Sequence, residues 1–259
     1  MRIVVVALLA AGIAATSAYA EDAKPVISTK NKSIELDVTI DDKLKAHPAL
    51  YANLLAEAKR EAAKWRKDAD AARAKKDFPF KIGGHYEFNR SYSQRSAIGH
   101  YISVLRSESS FTGGAHPNSY ADTILWDTTA KKRISVRPFF KESADNGPAM
   151  TAMAKLVRTA VYNEKKARDF PVDASPDNDS WLKDITPSLL KLGPITLAPS
   201  TERGKSSGFT FHFSPYAVGP YVEGPLTTFV PWTAFKDYLS AEGAALFGGE
   251  RPEGDADQD

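Results

Sequence analysis

Two loops rich in glycine and proline carry the side chains of this sequence that are best suited to contact a ligand. The first loop, Phe111 to Asn118, reads Phe-Thr-Gly-Gly-Ala-His-Pro-Asn. Its histidine can act as a general base, as a metal ligand or as a hydrogen-bonding contact. The second loop, Ser214 to Pro225, contains two tyrosines, whose ring faces pack on apolar surfaces and sugar rings while the hydroxyl forms hydrogen bonds. Both loops follow β-like runs, and their chemistry indicates binding more than a reaction.

The first loop allows two interpretations of its histidine. Gly113 and Gly114 can take positive φ without steric cost, which permits a sharp exit from the preceding strand. Pro117 restricts His116 to an extended backbone, and Asn118 can close the turn with a hydrogen bond to the main chain. Either His116 binds a neighbouring backbone carbonyl and keeps the loop closed, or it is presented to a ligand.

The second loop has the same two interpretations. Tyr216 and Tyr221 flank a Val-Gly-Pro segment centred on Gly219. The tyrosines either pack across the end of a sheet and bind backbone groups, or they form a ligand surface. The candidate ligand-binding residues of both loops together are Gly113, Gly114, His116, Asn118, Tyr216, Gly219 and Tyr221.

The common catalytic signatures are missing from the sequence. There is no cysteine, so thiol nucleophiles and thiolate metal sites are excluded. No Gly-x-Ser-x-Gly elbow, phosphate loop or dinucleotide fingerprint occurs. The five histidines form no metal-binding pair along the chain, although folding could still bring together His85, His100 and His116. No catalytic residue, metal or cofactor is therefore assigned, and no particular carboxylate pair stands out.

The elements that would position these loops predict an α+β fold. Residues 33 to 40 alternate between polar and apolar side chains, which is typical of a strand. The segment Pro48 to Lys75 then repeats Tyr51, Ala58, Trp65 and Ala72 every seven residues, which predicts an amphipathic helix. Because its seam is mostly alanine, we expect this helix to lie close against a sheet.

The rest of the chain alternates between strands and helices. Residues 78 to 139 are typical of a β-meander, and Asn146-Gly-Pro148 begins a helix that ends near Arg168. We expect antiparallel sheets with packed helices. The further predicted elements are a short helix over residues 181 to 192, strands over 195 to 198, 209 to 213 and 226 to 230, and a helix over 233 to 246.

The first twenty residues are typical of a secretory signal peptide. Arg2 gives a positive start, Ile3 to Ala14 is apolar, and Ala18-Tyr-Ala20 is a small-x-small cleavage pattern. We therefore expect cleavage after Ala20 and a periplasmic or secreted protein without a membrane anchor. The formal net charge is only +2, with 34 basic and 32 acidic residues, which argues against a nucleic-acid partner.

The sequence from Ile34 to Tyr238 resembles a pair of extracytoplasmic modules. The residues that carry the resemblance are Ile102 to Tyr120, Trp126-Asp127 and Ile134 to Phe140 for the first module, and Phe209 to Trp232 for the second. The first is similar to the accessory module of a peptidoglycan deacetylase (PdaC-like), and the second to the C-terminal module of lysozyme-sensing anti-sigma factors (RsiV-like). The second loop departs from the family pattern at Val222-Glu223, which puts the family's recognition mode there in doubt.

The resemblance implies two modules that complete one compact body. We predict a signal peptide over residues 1–20, the PdaC-like module (strand, long helix, β-meander) over 21–145, the RsiV-like module over 146–247 and a disordered acidic tail over 248–259. The leading hypothesis is a non-catalytic binding protein whose partners are peptidoglycan fragments or a lysozyme-like protein. The alternatives are a wall-directed hydrolase or deacetylase that uses His116, and a structural envelope protein whose long helix docks a partner.

Overall fold

The computed structural model describes residues 24–75, 78–80 and 84–255. The predicted signal peptide and its cleavage site lie outside the described residues. The helices are α1 (Pro48–Arg73), α2 (Pro148–Ala167) and α3 (Ala241–Leu246). The strands are β1 (Ile27–Lys30), β2 (Ile34–Ile40), β3 (Tyr86–Ile98), β4 (Tyr101–Phe111), β5 (Asn118–Asp127), β6 (Lys132–Ile134), β7 (Ile195–Ala198), β8 (Gly208–Phe213) and β9 (Leu226–Pro231).

The first sheet contains β1 to β6 in chain order. β2 and β3 pair in parallel, and the other neighbouring strands of this sheet pair antiparallel. The parallel pair follows from the long connection between these strands, because only a crossover element such as α1 can return the chain in the same direction. The predicted meander is β3 to β6.

Helix α1 covers one face of the first sheet. The apolar positions of β2 are fully buried, while its alternate residues are half-buried, as the period of two predicts. Leu50, Leu54, Ala58, Ala62 and Ala69 of the helix are buried in the same apolar cluster. The prediction that α1 lies against a sheet is confirmed, and Leu50 and Leu54 extend its alanine seam.

The second sheet contains β7, β8 and β9, all antiparallel. Its apolar core also takes side chains from the first sheet, including Ile98, Tyr101 and Leu125, together with Met150 and Met153 of α2. Ser103 of β4 accepts a hydrogen bond from the amide of Leu197 on β7, at 3.0 Å. The two halves thus share this second apolar cluster, and the predicted α+β fold in one compact body is confirmed.

One predicted helix does not form, and another is shorter than predicted. Residues 181 to 192 form turns and a single 3-10 turn at Leu189–Lys191, because Pro187 disfavours a helical backbone at Thr186. The predicted helix over 233 to 246 begins only at α3, after two 3-10 turns. Ser240 caps α3, since its Oγ accepts a hydrogen bond from the amide of Gly243.

The acidic tail differs from the expectation over its described part. The amide of Gly248 donates to the carbonyl of Ser206 at 2.9 Å, and Glu250 accepts from the amide of Thr201 at 2.8 Å. Arg251 also pairs with Asp255 at 2.6 Å. Backbone pairing with the residues before β8 holds this segment, which apolar content alone does not indicate; residues 256 to 259 lie outside the described part. None of the helices formed by the described residues is long and apolar enough to cross a membrane.

Candidate functional site

The two loops meet in space and place their aromatic residues together. The first loop joins β4 to β5, and the second joins β8 to β9, so each belongs to a different sheet. The rings of His116 and Tyr221 stack, with centroids 3.8 Å apart and planes 20° from parallel. The Tyr221 hydroxyl donates to the carbonyl oxygen of Pro117 at 3.0 Å. We call this arrangement, with Tyr216 beside it, the aromatic loop pair (His116, Tyr216 and Tyr221).

Both ring nitrogens of His116 have partners within the aromatic loop pair. Nδ1 lies 2.9 Å from the carbonyl oxygen of Pro117, which can only accept, so Nδ1 carries the proton of the neutral ring. Nε2 then accepts from the Tyr216 hydroxyl, 3.3 Å away. The contact with Pro117 is of the kind that the loop-closing interpretation of His116 describes. The contact with Tyr216 also links His116 to the second loop.

The glycines of the first loop adopt the backbone that the sequence predicts. Gly113 has φ of 96° and Gly114 has φ of 123°, which L side chains rarely adopt. A Cβ on Gly113 would also lie 2.7 Å from Pro79 Cβ. Asn118 begins β5 and lies opposite Ser110 of β4. These residues shape the loop that carries His116.

Tyr216 combines exposure with an unfavourable backbone. Its side chain is 54% exposed, and its φ is 71°, in the left-handed region. Such a conformation costs a bulky residue on the order of 1–3 kcal/mol, and glycine would avoid that cost. Tyr216 gains little burial in return, so packing alone does not explain a tyrosine at this position.

A buried ion pair connects the second loop to α2. Lys165, in the last turn of α2, is fully buried, and its Nζ donates to the carbonyl of Val218 at 3.0 Å. Glu223 Oε2 lies 3.2 Å from the same nitrogen. Gly219 leaves room for this pair, because a Cβ there would lie 2.1 Å from Glu223 Oε2. The second loop is thus fixed to α2 through charged groups that are buried from solvent.

Sequence reasoning missed the role of Lys165, although a signal exists. Met153, Val157 and Val161 mark the buried face of α2 at four-residue intervals, and Lys165 is the next position on that face. A lysine there needs a buried partner, because an unpaired buried ammonium is very costly. The partner is Glu223, one of the two residues at which the second loop departs from the family pattern.

A groove lies beside the second loop, on the face of the first sheet opposite to α1. It has a volume of about 450 Å³. Because each lining strand contributes alternate residues, the floor consists of small polar side chains. We call it the sheet groove, and its lining residues are Asp37, Thr39, Asn89, Arg90, Ser91, Ser107, Glu108, Ser109, Ser119, Tyr120, Ala121, Ser214, Pro215 and Pro225.

A larger cavity of about 560 Å³ lies between α2 and β9. Its charged lining residues are already paired: Arg168 with Glu164 at 2.7 Å, and Arg251 with Asp255. Its walls are otherwise formed by ordinary helix and strand side chains. We therefore take the aromatic loop pair and the sheet groove as the candidate site.

The histidines do not assemble into a metal centre in the described part of the chain. His85 contacts Glu35 at 3.1 Å, whereas the His100 ring lies 4.0 Å from that of Tyr101. Among the residues that the structure describes, no group of three or more histidine and acidic side chains is placed to hold a metal ion. The three histidines of the meander instead have separate partners.

Comparison with known proteins identifies two consecutive domain types. Residues 19–119 match the family model described as deacetylase PdaC, and residues 139–233 match the model described as a protein of unknown function, DUF3298. No curated protein matches the chain.

Two crystal structures of DUF3298 family members share the fold. The one from Bacteroides fragilis is 16% identical, with a TM-score of 0.51 over 80% of this chain and 85% of that one. The one from Pseudomonas aeruginosa PAO1 is 15% identical, with a TM-score of 0.51 over 88% of this chain and 94% of that one. The resemblance to PdaC-like and RsiV-like modules is therefore confirmed at the level of domains and fold.

Proposed function

We propose, from the premise that a PdaC-type domain is followed here by a DUF3298-type domain, that this chain is an exported, non-catalytic binding protein. Both domain families are of an extracytoplasmic, cell-wall-associated type with unknown function. Its recognition surface in this proposal is the aromatic loop pair. Its partner is a wall-degrading enzyme of the lysozyme type, and wall glycan is the other partner class.

The observation that carries the proposal is the exposed, strained tyrosine at the junction of the two domains. His116 comes from the PdaC-type segment, while Tyr216 and Tyr221 come from the DUF3298-type segment. Exposed aromatic residues dominate binding energy at protein interfaces because they bury a large rigid area at low entropic cost. Val222, 88% exposed, adds an apolar side chain next to Tyr221.

The contacts around the rings support recognition with little rearrangement. The stack of His116 on Tyr221 and the hydrogen bond from Tyr221 to Pro117 hold two rings in place before any partner arrives. The buried pair of Lys165 and Glu223 fixes the loop that carries the tyrosines. A surface organised in advance loses less conformational entropy on binding than a flexible one.

The net charge of the chain predicts how such binding depends on salt. Lysozyme is strongly cationic, and this chain has a formal net charge of +2, so the overall charges do not attract each other. Binding through tyrosine rings and Val222 depends mainly on buried apolar area. We therefore expect an affinity that changes little between low and moderate salt, unlike an interface formed by opposite charges.

The test is a titration of the purified protein into a lysozyme lysis assay, with direct binding measured in parallel at two salt concentrations. We expect saturable binding that Tyr221→Ala and Tyr216→Ala weaken at least tenfold, as is typical of central aromatic contacts. Leu190→Ala is the matched control, because Leu190 is 86% exposed and lies outside both loops. Absence of binding to lysozyme and to muropeptides at millimolar ligand would refute the proposal.

A further inference from the structure

We infer that the sheet groove is a second binding site, which takes a neutral, hydroxyl-rich chain of the oligosaccharide type. The inference rests on the proposed wall-directed binding role, but it concerns a different surface from the aromatic loop pair. Four observations carry it: the spacing of the polar groups on the groove floor, their lack of partners, the lack of a free cation among the lining residues and the apolar walls.

The floor is a regular ladder of small polar side chains. Asp37 lies opposite Asn89, Asn89 opposite Ser109, and Ser109 opposite Ser119, across four strands in register. Because neighbouring strands are about 4.8 Å apart, this row presents a hydrogen-bonding group at each such interval. A ligand with repeating hydroxyl groups that lies across the strands can therefore bind the floor at several points.

A second, parallel row lies two residues further along the same strands. Thr39 is opposite Ser91, Ser91 is opposite Ser107, and Ser107 is opposite Ala121. Both rows point away from α1, because residues on one face of a strand alternate with those on the other. The two rows give the groove both length and width.

These floor side chains have no protein partners in the described part of the chain. None of the side chains of Thr39, Ser91, Ser107, Ser109 and Ser119 forms a hydrogen bond with another described residue, although each residue is half-buried. Half-buried polar groups in folded proteins are normally satisfied by protein or by ordered water. Hydroxyl groups of a ligand can take the place of that water, since each hydroxyl both donates and accepts.

The charges of the groove do not suit an anion. Its charged lining residues are Asp37, Arg90 and Glu108. The Arg90 side chain is only 5% exposed, and its Nε donates to Glu108 at 2.7 Å. Its guanidinium also contacts the Tyr92 hydroxyl at 3.3 Å. Arg90 is therefore engaged within the protein, and the groove offers no free cation among its lining residues to a phosphate or a nucleic acid.

The walls supply the apolar contacts that a sugar ring requires. Pro215 and Pro225 of the second loop line one side. Ser214 joins this wall to the sheet, because its Oγ accepts from the amide of Ala121 at 2.8 Å. The groove is thus formed by both domains, and its volume falls in the range of small-ligand sites, which indicates a short oligosaccharide.

The experiment measures binding of two neutral probes, chitotetraose and cellotetraose, by calorimetry and by protein-observed NMR on the whole protein. We expect Ser107→Ala/Ser109→Ala to weaken binding about tenfold, because two hydrogen bonds are lost. Ser109→Trp should abolish binding by filling the groove. Thr233→Ala is the control, because Thr233 is exposed and lies outside the groove. Circular dichroism and unfolding midpoints establish that each variant is folded.

The loop variants separate this inference from the proposed function. Tyr221→Ala should leave oligosaccharide affinity within twofold while it weakens lysozyme binding. If neither probe binds at millimolar concentration and lysozyme binding persists, the groove inference fails and the proposed function stands. If oligosaccharide binding is lost in Tyr221→Ala and kept in both serine variants, the sugar binds at the aromatic loop pair and the groove inference is overturned. Inorganic phosphate that competes with chitotetraose would also overturn it, because a groove with no free cation among its lining residues does not bind an anion.

Discussion

The ammonium group of Lys165 lies 3.2 Å from Glu223 Oε2, at a position where the lysine is fully buried and the glutamate is only 6% exposed. The same ammonium donates to the carbonyl of Val218. Glu223 Oε2 has no hydrogen-bond partner in the described part of the chain, so its charge depends on Lys165. The last turn of α2 thus determines the conformation of the loop that carries Tyr216 and Tyr221.

Lys165→Met should destabilise the protein strongly. The substitution leaves the Glu223 carboxylate buried without a counter-charge, which typically costs about 3–5 kcal/mol. Urea unfolding measures the change in the free energy of unfolding. The double variant Lys165→Met/Glu223→Leu removes both charges and should recover most of the loss, because replacing a whole buried pair by apolar groups is often neutral. If the single and double variants are equally unstable, the loss is one of packing and the ion pair is not its cause.

Gly219→Ala should disturb the second loop through the same pair. The added methyl group would lie 2.1 Å from Glu223 Oε2 and 3.2 Å from Lys165 Nζ, so the glutamate must move. We expect a loss of about 1–3 kcal/mol in the free energy of unfolding, as for other overpacked sites. NMR shifts of residues 214–225 report the movement of the loop directly. A variant with wild-type stability and unchanged shifts would show that the loop has room that the structure does not indicate.

Local patterns in the sequence predict the elements, and distant contacts decide the site. The alternation of Ile34, Leu36, Val38 and Ile40 predicts β2, since the period of a strand is visible within a few residues. Positive φ at Gly113 follows from two consecutive glycines after a strand. The predicted helix over 181 to 192 does not form, because Pro187 disfavours a helical backbone before it despite the apolar spacing of this segment.

The candidate site depends on relations that no local pattern contains. The bond between His116 and Tyr216 joins residues 100 positions apart in sequence, and two sheets must pack before it can form. Ser107 and Ser109 look like ordinary outward-facing strand residues in the sequence. They line a groove because the second loop closes over that half of the sheet. Lys165, which the sequence analysis did not single out, has a signal in the sequence, because it is a charge on the buried face of a helix.

Tyr216→Gly should separate stability from recognition. Glycine adopts the φ of 71° at this position freely, whereas tyrosine there is strained, and little burial is lost because the side chain is 54% exposed. We expect the free energy of unfolding to stay within about 1 kcal/mol of the wild type or to rise. Lysozyme binding should fall at least tenfold in the same variant. Tyr51→Gly, within α1, serves as the contrast and should lower stability. A marked loss of stability in Tyr216→Gly would assign the tyrosine a structural role.

His212 should make the fold sensitive to mild acid. Its side chain is 4% exposed, and its Nε2 lies 2.8 Å from Thr196 Oγ1 on the neighbouring strand. Burial lowers the pKa of His212 to about 3, and the positive charges of Arg95 and Arg251 act in the same direction. The neutral imidazole is therefore the form that the folded protein holds at neutral pH.

The direction of the pH effect follows from the lowered pKa. Between pH 6.5 and 3 the unfolded chain binds a proton at this histidine and the folded protein does not, so stability falls as the pH falls. Below pH 6.5 the loss is about 1.4 kcal/mol for each pH unit. Burial acts to raise the pKa of Glu57, but hydrogen bonds from Arg106 and Arg133 outweigh it and lower this pKa to about 2. Glu57 therefore adds a loss of stability only below about pH 4.5. The interval from pH 6.5 to 4.5 therefore reports on the histidine.

His212→Gln tests this assignment, because glutamine is neutral and can still bond Thr196. Urea unfolding at several pH values should show that the slope of stability against pH, between pH 6.5 and 4.5, falls by about one proton relative to the wild type. A buried histidine that stays neutral in the folded protein binds its proton only on unfolding. Equal slopes in the wild type and His212→Gln would therefore mean that His212 takes up its proton in the folded state.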